Sequence, residues 1–152
     1  MEEGHIIDET DKKILNVLVE RSNLSLREIA KEVKVSVVTV MKRVRELEKQ
    51  EIIKDYTVNL DYEKIGYEIE VIIQLRIAKG KLFEVQKKIA AFENVYAVYD
   101  ITGNFDSLVI ARFRSRRTMD AFLKKLQKID LVERSHTSLV LNKIKLKNTK
   151  IV

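Results

Sequence analysis

The sequence predicts an α+β chain in two parts, a small helical module followed by a β-α-β-β-α-β sandwich. Three observations predict it. Residues 25–50, SLREIAKEVKVSVVTVMKRVRELEKQ, read as two capped helices around a tight turn. Residues 69–77 alternate with a period of two, the mark of a half-buried strand. Beyond them, helical and strand periods follow one another in the order of two βαβ halves.

The elements can be justified in chain order. Asp8-Glu9-Thr10-Asp11 offers an N-cap with acids in the first turn, which suits a helix start. Ile14, Leu15, Leu18 and Val19 continue it as an apolar stripe, and Asn23 and Ser25 break the chain. Ser25 then caps a second helix, with Glu28 completing an S-x-x-E capping box. Leu26, Ile29, Ala30 and Val33 recur at helical spacing, and Lys34-Val35 makes the turn.

Ser36 is the N-cap of the third helix. At about 100° per residue, Val40, Val44 and Leu47 share one side, flanked by Val37 and Met41, and form the stripe expected to be buried. Val38, Lys42, Arg45 and Lys49 fall on the opposite side. Cations one and two turns apart can follow a phosphate backbone or reach guanine edges. Val38 faces water there, and contact with a thymine methyl would explain it. Alone, such a basic face is more often merely solvated; a capped helix and turn placed directly before it favour a DNA-reading helix. The expected DNA-contacting set is Ser36, Val38, Thr39, Lys42, Arg43, Arg45 and Lys49. The stretch Ile52–Val58 reads as a short strand, a candidate wing.

The second part starts after Asp61. The expected domains are residues 1–61, a winged helix-turn-helix with a linker strand, and 62–152, a ferredoxin-like domain. After the strand 69–77 come a loop at 78–81, a helix carrying Leu82, Val85, Ile89 and Phe92, and a strand at 95–102. A Gly103-Asn104-Phe105-Asp106 turn and a strand at 107–113 follow. Ser115 caps a helix carrying Met119, Phe122, Leu123 and Leu126, and a long strand runs over 132–146. Both helices should cover one face of an antiparallel sheet. In the middle strands both alternating sets hold apolar residues: Val95, Ala97, Tyr99 and Ile101 against Tyr96 and Val98. Either a second subunit covers the open face, or these are scattered surface side chains.

Composition narrows the function classes. The chain has 152 residues, 45% of them hydrophobic, enough for real cores. No apolar run approaches a membrane span, and the acidic start MEEGHIID lacks an apolar signal segment. Cysteine is absent, which excludes disulfides and thiolate metal sites. The cytoplasm is the expected compartment. The net charge is +6, but residues 1–24 hold three basic and six acidic residues, residues 25–50 seven and four, and residues 62–152 eighteen and ten. The first module is therefore basic only locally.

An enzyme finds little support. The histidines are His5, in an expected tail, and His136, in a strand. No nucleophile motif, metal-ligand cluster or phosphate loop occurs, so neither metal nor cofactor is expected. A second alternative is a DNA-organising protein of weak sequence preference, using Arg114, Arg116, Arg117, Lys124, Lys125 and Lys128.

Four stretches carry a family resemblance: IDETDKKIL at 7–15, SLREIAKEVKVS at 25–36, TVMKRVRELEKQEIIKDYTVNLDYEKIGY at 39–67 and TGNFD at 102–106. In this order they make the chain resemble the Lrp/AsnC (feast/famine) family of prokaryotic transcription regulators over nearly its whole length. The resemblance implies a winged helix-turn-helix that binds double-stranded DNA, joined to an α+β domain that senses an amino acid or related small molecule. It also implies homodimers, often assembled further. The implied function is sequence-specific transcription regulation in which assembly or DNA affinity responds to that effector. The family's effector sites lie near a G-x-x-D loop at a subunit interface, which points to Gly103, Asn104 and Asp106. Backbone N–H groups beside a turn glycine suit an α-carboxylate, and Asp106 suits an α-ammonium. Gly, Asn and Asp are also ordinary turn residues. Two departures stand out. Lys34 occupies a turn position where the family usually has glycine, and Val37 one where it often has proline.

Overall fold

The computed structural model describes residues 7–78 and 80–152. The reading of His5 and the N-terminal tail, and of Lys79 within the 78–81 loop, lies outside them. The chain divides into two compact units, one ending at Asn59 and taking in Lys145–Val152, the other Leu60–Ile144.

Three helices build the first unit: α1 (Glu9–Glu20), α2 (Leu26–Val33) and α3 (Val37–Lys49). Their starts are set by side-chain caps. Asp8 Oδ1 accepts the N–H groups of Thr10 and Asp11 at 2.9 Å, and the Asp8 N–H donates to Asp11 Oδ2 at 3.1 Å. Ser25 and Glu28 form the expected reciprocal box. The Thr39 N–H donates to Ser36 Oγ at 3.0 Å. Each cap satisfies amides that the first turn leaves open, typically contributing about 1 kcal/mol. Ile14, Ile29, Ala30, Val33, Val40 and Val44 form the core. Val37, expected beside the buried stripe, is 39% exposed, and Val19 also stays open to solvent.

Lys34 closes α2 at φ 60°, ψ 45°, a left-handed conformation. A Cβ makes that region unfavourable by about 1–2 kcal/mol. Lys34→Gly should therefore raise stability by about 1 kcal/mol, read as a higher denaturation midpoint with unchanged DNA affinity. An unchanged or lower midpoint would mean that the lysine's helix-end charge outweighs the strain.

The expected wing strand at Ile52–Val58 does not form a ladder in this chain. Glu51 turns at φ 56°, and the N–H groups of Ile52 and Ile53 fold back onto the Leu47 carbonyl. After that turn no neighbouring strand among the described residues supplies hydrogen bonds, and β-branched composition alone does not make a strand. The C-terminal segment joins this unit through Asn16. Its Nδ2 donates to the Ile151 carbonyl and its Oδ1 accepts the Ile151 N–H, both at 2.9 Å.

The second unit holds β1 (Ile69–Ile77), α4 (Leu82–Ala90), β2 (Val95–Asp100), β3 (Ser107–Phe113), α5 (Arg116–Gln127) and β4 (Val132–Leu139). The sheet order is β2-β3-β1-β4, with every pair antiparallel. This is the expected ferredoxin-like arrangement. Val71, Ile73, Leu75 and Ile77 of β1 and Val109, Ala111 and Phe113 of β3 pack with Val85, Ile89, Phe122 and Leu126 of the helices. Phe122 meets Phe92 and Phe113 with centroids 5.2 and 5.3 Å apart.

Two strand expectations need correction. β4 ends at Leu139 instead of reaching 146, because its partner β1 runs out: the last rung is the Val140 N–H to the Glu70 carbonyl, at 2.9 Å. β2 ends at Asp100 and does not alternate strictly. A register shift between Val95 and Ala97 pairs Val98 with Val109 and Tyr99 with Leu108. Val95 and Val98 thus both reach the core, while Tyr99 shares the open face with Leu108. A bulge changes which residues share a face, which simple alternation cannot anticipate.

Candidate functional site

On α3 the outward stripe is formed as the periodicity requires. Val40, Val44 and Leu47 are buried, whereas Val38, Lys42, Arg45 and Lys49 are exposed. Val38 is 68% exposed in the second position of the helix. Ser36 and Thr39 stand at the helix start, their hydroxyl oxygens 2.8 Å apart. Arg43 is placed differently. It turns to the start of α1, with Nη2 2.7 Å from Asp8 Oδ2 and Nη1 3.3 Å from Asp11 Oδ2. The Asp11 amide, against slight desolvation and with help from Arg43, holds the Asp8 carboxyl below its ordinary range. Arg43 therefore ties α3 to α1, and among the described residues the cations of the face without an ion-pair partner are Lys42, Arg45 and Lys49.

The Gly103–Asp106 loop sits at the far end of β1. Gly103 has φ +114° and open space where a Cβ would stand, so backbone conformation is what requires glycine. Asp106 is well anchored. Its N–H donates to the Leu75 carbonyl at 2.8 Å, and its carbonyl accepts the Ile101 N–H at 3.0 Å. Asp106 Oδ2 accepts the Ile77 N–H at 2.9 Å, a donor that β3 does not reach because its pairing with β1 ends at Leu75–Ser107. Among the described residues Asp106 Oδ1 has only Arg76 Nη1, at 3.5 Å, leaving acceptor capacity on that oxygen. The N–H groups of Gly103 and Asn104 have no intramolecular acceptor among the described residues.

Three neighbours of this loop, Arg76, Arg134 and Ser107, carry no site signal in the sequence, whereas the fourth residue beside it, His136, reads there as structural or ligand-adjacent. Arg76 Nη1 donates to the Asn104 carbonyl at 3.3 Å. Arg134 and His136 on β4 flank the Phe105 ring, at 5.7 Å from guanidinium carbon to ring centroid and 6.4 Å between rings. Ser107 is fully buried and donates to the Tyr99 carbonyl at 3.0 Å. Ser107 simply follows Asp106 in the chain, but cross-strand register is what brings Arg76, Arg134 and His136 together, and register is not readable from local periodicity.

A second charged cluster stands on the open face. Arg112 is stacked between Tyr62 and Tyr96, 3.9 and 3.6 Å from their centroids, and its Nε donates to Glu70 Oε2 at 2.8 Å. Lys143 Nζ lies 2.8 Å from the same oxygen. Burial opposes ionisation of Glu70, but the Lys143 and Arg112 contacts outweigh it and hold the carboxyl below the ordinary glutamate value. The cleft lined by Asn16, Thr57 and Leu146 lies within the helical unit. Among the described residues no helix is long and apolar enough to cross a membrane, and no cluster of acids and histidines suits a metal.

A model of winged helix-turn-helix DNA-binding domains matches residues 7–54, and a model of the Lrp/AsnC ligand binding domain matches residues 70–149. An uncharacterized HTH-type transcriptional regulator of Pyrococcus furiosus is 44% identical over 91% of this chain and 94% of its own length. The HTH-type transcriptional regulator LrpA of Pyrococcus horikoshii is 34% identical over 92% of this chain and 100% of its own. Among solved structures, a transcriptional regulator of Neisseria meningitidis in complex with L-Met superposes with a TM-score of 0.89, at 27% identity over 97% of both chains. With a capped helix-turn-helix in one unit, a ferredoxin-like sensor fold in the other, and both family models matched in that order, the chain belongs to the Lrp/AsnC family of HTH-type transcription regulators with a ligand-binding domain.

Proposed function

We propose that α3 enters the DNA major groove and that a small amino-acid effector at the Gly103–Asp106 loop sets how tightly it does so. The observation that carries this reading is the division of α3 into a buried apolar side and an exposed side with Val38, Lys42, Arg45 and Lys49. Lys42 and Lys49 follow phosphates, Arg45 reaches a base edge, and Ser36 and Thr39 approach the backbone from the helix start. Arg43 positions the helix. Such a regulator works on chromosomal DNA in the cytoplasm.

For the effector, the open amides of Gly103 and Asn104 suit the α-carboxylate, and Asp106 Oδ1 suits the ammonium. The L-Met complex of the Neisseria relative is consistent with a ligand of this chemistry. A thermal-shift screen of the amino acids, followed by footprinting with and without the hit, tests it. Ligand at one hundred times its Kd stabilises by about 2.7 kcal/mol. A screen without any shift, with footprints insensitive to every amino acid, would contradict the reading.

We further propose that the open sheet face joins two copies. Ile72, Leu108 and Ile110 lie on that face and Tyr96 and Tyr99 stand exposed, an apolar surface typical of an interface. Light scattering of the full chain should give a dimer or larger, and Ile110→Asp should shift it to monomer. A monomeric wild-type protein at micromolar concentration would contradict this. The exposed cations of α5 and its C-cap, Arg116, Arg117, Lys124, Lys125 and Lys128, favour a second reading in which DNA is also wrapped without sequence preference. The ratio of specific to non-specific affinity separates the two.

A further inference from the structure

The placement of charge around the loop points to a particular class of effector. Arg76 on β1 and Arg134 on β4 are direct register partners, so both side chains rise from the open face. Like charges directly opposed across a ladder are destabilising. The next rung on that face pairs Gln74 with His136. Asp106 answers Arg76 alone; among the described residues Arg134 has no carboxylate partner. Phe105 projects from the loop toward Arg134 and His136, bringing the open amides of Gly103 and Asn104 to the same cluster. Two guanidiniums against one carboxylate leave a net positive site beside a place suited to an amino acid's α-groups.

We propose that the effector carries a second, acidic group, as an acidic amino acid does, and that Arg134 is the residue that selects it. The inference rests on the reading of Gly103–Asp106 as the effector loop. The α-groups engage Gly103, Asn104 and Asp106, and the side-chain carboxylate takes a charge-assisted hydrogen bond from Arg134, with the Phe105 ring behind it. A basic side chain meets the same cluster as repulsion, and a neutral one leaves Arg134 unanswered.

Calorimetry of the full chain with L-glutamate, L-aspartate, L-glutamine, L-leucine and L-lysine tests this. An acidic amino acid should bind about tenfold or more tighter than L-glutamine, the step between a charged and a neutral hydrogen-bond acceptor. R134Q should reduce that preference to about twofold while retaining L-glutamine binding. Gly103→Val should abolish binding of both. If a neutral or basic amino acid binds best and Gly103→Val removes it, the loop is the site but the acidic class is wrong. If R134Q changes the molar mass by light scattering and leaves the preference intact, Arg134 serves contact between copies and the proposal fails. If the best ligand binds Gly103→Val as well as wild type, or if none of these amino acids binds at all, the loop reading itself fails, and this inference with it.

Discussion

Arg45→Ala should weaken binding to the preferred DNA sequence by about 1–3 kcal/mol and relax discrimination at one base position. Lys42→Ala should instead weaken all sequences alike and lower the salt slope of log affinity by about 0.9. The contrast follows from their common exposure and different chemistry. Arginine's planar fork matches a guanine edge, whereas lysine acts as a point charge on phosphate. Among the described residues neither side chain has an ion-pair partner and both are exposed, so thermal stability should change by less than about 0.5 kcal/mol. Arg43→Ala gives the opposite pattern. It loses the contacts to Asp8 and Asp11 and should lower stability as well as affinity. Fluorescence anisotropy over a salt series, beside thermal melts, distinguishes the three. Wild-type affinity and salt slope in both Lys42→Ala and Arg45→Ala would show that the stripe is only solvated.

Glu70→Ala should destabilise the second unit by about 3 kcal/mol, since removing one member of a largely buried charge cluster leaves the other uncompensated. Here that other member is Arg112, 12% exposed and enclosed by two tyrosine rings. Lys143 loses its acceptor at the same time. The pH dependence has a fixed sign. Because the folded carboxyl sits below the ordinary glutamate value, the stabilisation is complete above that value and fades as pH falls through the lowered one. Melting temperatures of wild type and Glu70→Gln should therefore converge in acid and diverge toward neutrality. Parallel curves over the whole range would show that the charge of Glu70 contributes nothing.

Most helices could be read locally because their signals are local. Ser25 with Glu28, Ser36 with Thr39, and the spacing of Val40, Val44 and Leu47 lie within a turn or two of one another. Strand positions were equally legible for β1 and β3, where strict alternation matches burial. What could not be read depends on distant partners. Ile52–Val58 has strand composition but no ladder, and β4 stops where β1 ends. The acids that pair with Arg43, Asp8 and Asp11, come from another helix and leave no signal in the spacing of α3. The clamp of Asn16 on Ile151 spans 135 positions and leaves no sequence trace. At the Gly103–Asp106 loop, the proposed effector site, glycine and aspartate are visible as a motif. The Asp106 bond to the Ile77 N–H and the Arg76–Arg134 pairing required the sheet register.

DNA reading by α3 and the proposed effector binding at Gly103–Asp106 are joined by linkage, which makes their union measurable. Coupling of two sites is reciprocal and typically worth about 1–3 kcal/mol, so effector should change DNA affinity as much as DNA changes effector affinity. Anisotropy titration of the full chain with a selected DNA fragment, with and without a saturating amino acid that calorimetry shows to bind, measures it directly. The account predicts a change of about 5–150-fold in DNA affinity for wild type and none for Gly103→Val, whose effector-free DNA affinity stays at the wild-type level. An amino acid that binds at the loop and leaves both DNA affinity and assembly unchanged would contradict it.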